Sequence, residues 1–449
     1  MIESFYGGKI KKRRDFMKRE KTMKRSLIVL AIMTIMLFAM TITASAAGSV
    51  TKLRQTSASS SGVKVTWNAN PGQEYRVYYS KSKNSGYVED TSYTTSSTEW
   101  YISGLNAGTT YYVKVASYVE DSNWNDIYVA TSAPIQVVTT PENVNSSSIK
   151  QTAGTSKTVT VKWNGVAGAT GYRIELEGKL GTRTRVVSGT KASMPASAGR
   201  GYTVTIKPYK KSSSGFIAMD SSGKWAYGIY AAPVNPQNLA VARKDNLDWD
   251  PNESNEVKIG WDKNSFYSSS GEASPDGYQV QVCALNGKTS LYMGITTGGY
   301  SSSVKVTSLK ARKAIKNKGF KVRIRTYIKT DSGVAIWSAW SPFKVVVPQA
   351  YLNLNKMKVV NHTGAKLVWT GVANAQYYYV YFNRNTYGTN GGTWRKVKVS
   401  ASTRSYVITG LTKYQTFGFY VVPVCKVDGK LYPATTKNYY TTYIKTVYY

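Results

Sequence analysis

The chain has 449 residues, 42% of them apolar, with 59 Lys and Arg against 24 Asp and Glu for a formal charge of +35. So much apolar sequence supplies several independent cores rather than one. One histidine, His362, and two cysteines, Cys283 and Cys425, exclude clustered Cys/His zinc sites, a disulfide-stapled fold, and any histidine-based triad not built on that residue.

The first element is a leader. Lys9 to Arg25 carries ten Lys and Arg, then comes the apolar run LIVLAIMTIMLFAMTI and a small-residue exit at Ala44, Ser45 and Ala46. This is the pattern of a bacterial, Gram-positive-like secretory signal peptide, expected over residues 1–47, with Met17 or Met23 as alternative starts. Left uncleaved, the run approaches the ~20 residues that span a bilayer and would be the chain's membrane attachment. Without the leader the charge is still +28. A secreted or cell-surface chain so basic is expected to meet an anionic polysaccharide, teichoic acid, or host extracellular matrix and glycan. Nucleic acid is not an expected partner, because export separates the chain from most of it.

Beyond residue 48, short alternating runs of Val, Ile, Tyr and Thr separated by Gly, Asn and Ser turns predict an all-β sandwich or barrel. A basic insert, KARKAIKNKG at 310–319, has the one helical pattern. Four strands end in tryptophan: VKVTW to Trp67, VTVKW to Trp163, VKIGW to Trp261 and AKLVW to Trp369. Their spacing of roughly a hundred residues is the size of one sandwich. A strand opening on Tyr75, Tyr172, Tyr278 or Tyr378 follows each, and a third element places Tyr111, Tyr202, Phe320 and Phe417 at one position. Proline-bearing joints near 141, 233 and 348 divide the chain into 48–140, 141–233, 234–349 and 350–449, and their shortness predicts a semi-extended rod.

The Trp and Tyr strands, with LNAGTTY leading into Tyr111, resemble the fibronectin type III family and its tyrosine corner. The resemblance covers about 50–449 and implies tandem immunoglobulin-like (fibronectin type III) β-sandwiches, with the four tryptophans and Tyr111 in the cores. Repeat two lacks the leucine before Tyr202, and in repeat three the insert separates Leu309 from Phe320, which weakens the expectation of a corner hydrogen bond in both. Phe320 and Phe417 have no hydroxyl to make one. In bacteria such repeats are often appended to secreted glycan-degrading enzymes, so the resemblance also implies a possible accessory role. No enzyme, cofactor or metal site is expected. Asp248, Asp250 and Asn252 begin like a calcium loop, but the glycine and distal glutamate are missing.

Two surface patterns follow from strand alternation. If Tyr378, Val380 and Phe382 point inward, then Tyr377, Tyr379 and Tyr381 point outward, joined by Tyr420 and by Trp394 in the basic stretch TWRKVKV. Flat rings beside cations suit an extended, acidic glycan, so these five residues are the candidate glycan-binding stripe. Tyr78 and Tyr112 are a weaker version in repeat one. In repeat three, WSAWS resembles the WSxWS box of cytokine receptors. Trp337 and Trp340 are expected to stack with Arg323 and Arg325 as a structural ladder on the exposed sheet. The function expected is a non-catalytic, adhesive binding array, with a structural spacer or an accessory subunit as the alternatives.

Overall fold

A computed structural model describes residues 50–443 apart from 71–72, 92, 246–254, 269–270, 361–362, 385–393, 413–415 and 435–439. The leader, His362 and most of the acidic segment around Asp248, Asp250 and Asn252 lie outside the described residues. The rest is organised as tandem β-sandwiches, each pairing a three-stranded sheet with a larger one.

Repeat one has eight strands: β1 Arg54–Ala58, β2 Val63–Thr66, β3 Glu74–Ser80, β4 Val88–Glu89, β5 Glu99–Ile102, β6 Thr110–Glu120, β7 Asp126–Thr131 and β8 Ile135–Val138. They form the sheets β1-β2-β5 and β4-β3-β6-β7, with β8 also paired to β6. All pairs are antiparallel, and the later repeats have the same two sheets. Their central pairs are Gly171–Gly178 with Gly201–Lys211, Gly277–Ala284 with Phe320–Lys329, and Ala375–Arg384 with Thr416–Val427. In repeat three the basic insert forms a helix, Leu309–Ile315. Ser308 caps it by accepting from the Ala311 N–H, and Ala311 and Ile315, four apart, are buried on one face. A small hairpin, Phe266–Ser268 with Gly271–Ala273, is an addition that the sequence pattern did not single out.

Each core is built on the same pair of rings. Trp67, Trp163, Trp261 and Trp369 are buried against Tyr75, Tyr172, Tyr278 and Tyr378, at centroid distances of 5.4, 5.3, 5.1 and 5.7 Å. Inclined rings at this range add roughly 0.5–1.5 kcal/mol beyond the area they bury. Each tyrosine hydroxyl accepts an N–H from the preceding loop: Asn70 at 2.7 Å, Val166 at 2.8 Å, Asn264 at 3.3 Å and Val372 at 2.9 Å. Cys283 and Cys425 are buried free thiols, and burial pushes Cys425 up to about 11.

The corner tyrosines depart from expectation in repeat two. Tyr111 accepts the Asn106 N–H at 3.0 Å, and Tyr202 makes the same bond to the Ser197 N–H at 2.8 Å. Ala196 stands where the leucine is missing, and its N–H bonds Lys157 O at 2.7 Å, as the Leu105 N–H bonds Ser61 O at 2.9 Å. The corner is therefore set by main-chain geometry that alanine supplies equally well. A further device joins the two sheets: the side-chain amide of Gln55 pairs with both backbone groups of Val138, and that of Gln151 with those of Tyr230.

Successive repeats meet through equivalent turns. Gly108, Gly199 and Asn317 each precede the corner ring by three residues, and all have positive φ. Gly199 O accepts from Tyr267 N–H and Asn317 O from Ala373 N–H, both at 2.8 Å, while Gly108 lies against Ala167 and Gly168. Side chains reinforce these joints. Gln136 of repeat one accepts from the Ser213 N–H of repeat two at 2.6 Å, and Lys321 of repeat three pairs with Asp428 of repeat four at 2.6 Å.

Candidate binding surface

The outer face of each larger sheet is where the candidate residues lie. In repeat three, Phe320, Val322 and Ile324 are buried, and the alternation turns Lys321, Arg323 and Arg325 to the other face. Arg325 stands 4.1 Å from the Trp337 ring centre and 4.5 Å from that of Trp340. Arg323 stands 4.5 Å from Trp340 and 4.7 Å from Phe343. On the adjacent strand, Gln279 and Gln281 accept from the two arginine Nε–H groups at 2.7 Å. These glutamines and Phe343 extend the set of residues anticipated from sequence. Burial, then the charge of Arg323, lowers the Arg325 pKa.

The serines of WSAWS have a separate task. Ser338 exchanges two bonds with Thr326, and Ser341 two with Ile324, each through its N–H and its hydroxyl. They carry the sheet across the gap between the paired segments Ala335–Trp337 and Lys344–Val346. Ser132 of repeat one bonds Val115 in the same way. The serine bridge thus occurs in two repeats, while the tryptophans belong to one.

In repeat four the stripe is more closed than alternation suggested. Tyr381 lies flat on Tyr420 at 4.5 Å with 13° between the planes, and Trp394 covers Tyr420 at 4.7 Å. Tyr420 is consequently only 4% exposed, which corrects its assignment to an open surface. The reason is register: Tyr381 and Tyr420 are directly opposed on neighbouring strands, where large rings bury each other. Tyr377, Tyr379 and Tyr381 form an edge-to-face row, with Lys398 over Tyr377 at 4.1 Å and Lys396 over Tyr379 at 5.0 Å. At the Tyr377 end the face opens into a groove of about 570 Å³ walled by Gln376, Lys398, Ser400, Lys426 and Leu431, with no carboxylate among the described residues that line it.

Repeat one is also self-paired. Lys114 lies 4.4 Å from Tyr87 and 5.6 Å from Tyr78, and Arg76 lies 5.1 Å from Tyr118 while bonding Asp126 at 2.6 Å. That bond to Asp126 raises the Arg76 pKa, and burial raises that of the Tyr78 phenol. Tyr112 is half-buried. Repeat two carries ion pairs of Glu175 with Arg173 and Lys207 instead. Its exposed rings, Trp225 and Tyr227, have no aromatic or cationic partner among the described residues. Tyrosine density does not point to them; the alternation KWAYG, an aromatic pair two apart ahead of a strand glycine, is the signal that marks them.

Residues 48–128 match the family described as "Fibronectin type III domain". Among solved structures, the chain is similar to the FN1-FN3 domains of chicken CNTN1 at 13% identity and a TM-score of 0.22, covering 66% of this chain and 97% of that one. It is similar to a two-domain fibronectin type III segment of chicken tenascin at 20% identity and a TM-score of 0.24, covering 41% and 99%. The central fibronectin-III array of RIM-binding protein gives 13% identity and a TM-score of 0.19, covering 67% and 97%. No curated protein matches the chain.

Proposed function

We propose that this chain is a non-catalytic binding array of fibronectin type III sandwiches, secreted or held at the cell surface, which engages an anionic cell-wall polymer or extracellular glycan. The observation that carries this reading is the excess of 59 basic over 24 acidic side chains, together with the Lys398 and Lys426 groove beside Tyr377. Ammonium groups flanking a ring suit a carboxylate- or phosphate-bearing polysaccharide, whose charges meet the lysines while its apolar faces meet the phenol. The rings of Tyr379, Tyr381, Tyr420 and Trp394 continue from Tyr377 along the same sheet face as a packed row that borders the groove at one end.

The test is retention of the chain on immobilised teichoic acid and on dextran sulfate across a salt series. Binding is expected to weaken steeply between about 0.1 and 1 M salt, as the Debye length falls from roughly 10 to 3 Å, and to weaken further in Lys398→Ala with Lys426→Ala. Absence of retention at low salt would sink this reading. It would leave the spacer alternative, which the matched turn-to-turn contacts between repeats favour.

A further inference from the structure

We infer that the cleft at the joint of repeats two and three, walled by Trp225 and Tyr227, is a binding subsite for an uncharged saccharide chain. The cleft has a volume of about 380 Å³, within the rough 300–1,000 Å³ range of small-ligand sites. One wall is the strand Lys224–Tyr230 of repeat two, and the other is the turn of repeat three that carries Thr330, Asp331 and Ser332.

The strand is bent to present the rings. Its pairing with Gly201–Lys211 shifts register so that Tyr227 and Gly228 together face one residue, and Gly228 has φ of +66°. A bulge of this kind re-aims side chains, and such bulges cluster beside functional sites. Trp225 is 48% and Tyr227 58% exposed, and unlike the single exposed rings Tyr93, Trp124 and Tyr300 they stand two residues apart on one strand beside a cleft. Placing two flat apolar rings in water, unpaired, is a cost to the free protein that a ligand's C–H faces would remove.

Polar groups converge on the same space. Asp331 packs against Gly228, where a Cβ would sit 2.6 Å from its carboxylate oxygen, so a larger residue would have to turn that carboxylate away as well as adopt a φ of +66°. Its carboxylate makes no ion pair or hydrogen bond with the described residues and remains an acceptor for vicinal hydroxyls. Ser146 and Ser332 add hydroxyls, and Lys150 balances the charge of Asp331. Two rings, a free carboxylate and neutral balance select a hydroxyl-rich, uncharged sugar over an acidic one. The subsite is therefore separate from the lysine groove of repeat four and does not depend on retention by charge.

The test titrates the whole chain with cellohexaose, laminarihexaose and maltohexaose by calorimetry at 0.1 and 0.5 M salt. Saturable binding of at least one hexaose is expected, with affinity unchanged by salt. It should fall by roughly tenfold or more in Trp225→Ala and in Tyr227→Ala, the loss typical of a central aromatic contact. Both side chains are exposed, so an unchanged Tm shows that the variants remain folded, and both should still be retained on dextran sulfate at low salt. Failure of all three hexaoses to bind the wild-type chain, or binding that survives both alanine variants, would overturn the inference.

Discussion

Tyr172 shows how one side chain can serve twice. Its ring packs on Trp163 at 5.3 Å, and its hydroxyl accepts the Val166 N–H at 2.8 Å, closing the loop over the core. Tyr202 does the same at the other end of repeat two, accepting from Ser197. Removing either hydroxyl keeps the ring but strands a loop donor, so Tyr172→Phe and Tyr202→Phe are each expected to cost ~1–3 kcal/mol in urea unfolding. Tyr227→Phe, at an exposed hydroxyl, should stay within about 0.5 kcal/mol and serves as the control. The rings were legible in the sequence, because an aromatic residue opens the strand that follows each tryptophan in all four repeats, whatever the length of the loop between them. Their partners were not, because a main-chain N–H has no letter of its own. Gln55 and Gln151 do carry a signal, since both stand twelve residues before their tryptophan, but a polar residue in a strand ordinarily faces solvent and these two are buried.

At the scale of strands, alternation tells which face a residue occupies but not whether that face is open. Arg323 and Arg325 lie against Trp337 and Trp340, as alternation leads one to expect where contact needs only a shared face. Alternation misjudged Tyr420, whose exposure depends on what its cross-strand neighbour happens to be. The glutamines behind the arginines escaped for the same reason, since cross-strand register is not written in either strand alone. The ladder can be separated from the serine bridge by a double-mutant cycle. Trp340→Ala and Arg325→Ala should couple by ~0.5–2 kcal/mol, the range of a cation held over an indole. Ser341 takes no part in that coupling, although Ser341→Ala should lower stability by unpairing the Ile324 N–H. A coupling of zero between Trp340 and Arg325, read from the midpoints of chemical unfolding, would mean that the stack of rings and guanidinium groups contributes no stability.

For the molecule as a whole, the question is whether the sandwiches hang as beads or dock. The answer lies in three turns whose residues have left-handed backbone conformations. Where Gly108 meets Gly168, both have positive φ, and a Cβ on Gly168 would stand within 2.0 Å of Gly108 O. At the corresponding place between repeats three and four stand Asn317 and Asn374, also with positive φ, and there the Ala373 N–H bonds Asn317 O. Asparagine tolerates that conformation where most residues do not, so the last joint needs the backbone shape but has room for a side chain. The first joint needs both the shape and the space. Gly168→Ala is therefore expected to leave each sandwich folded, apart from ~1–2 kcal/mol of backbone strain, while prising repeats one and two apart. Limited proteolysis should then cut near Pro141 faster than in the wild type, and small-angle scattering should give a larger radius of gyration. Asn374→Gly, which removes a side chain without adding one, should leave both readouts unchanged. If Gly168→Ala also left the scattering profile and the cleavage rate as they were, repeats one and two would not be docked through these glycines, and the distance between their sheets would be set by the linker alone.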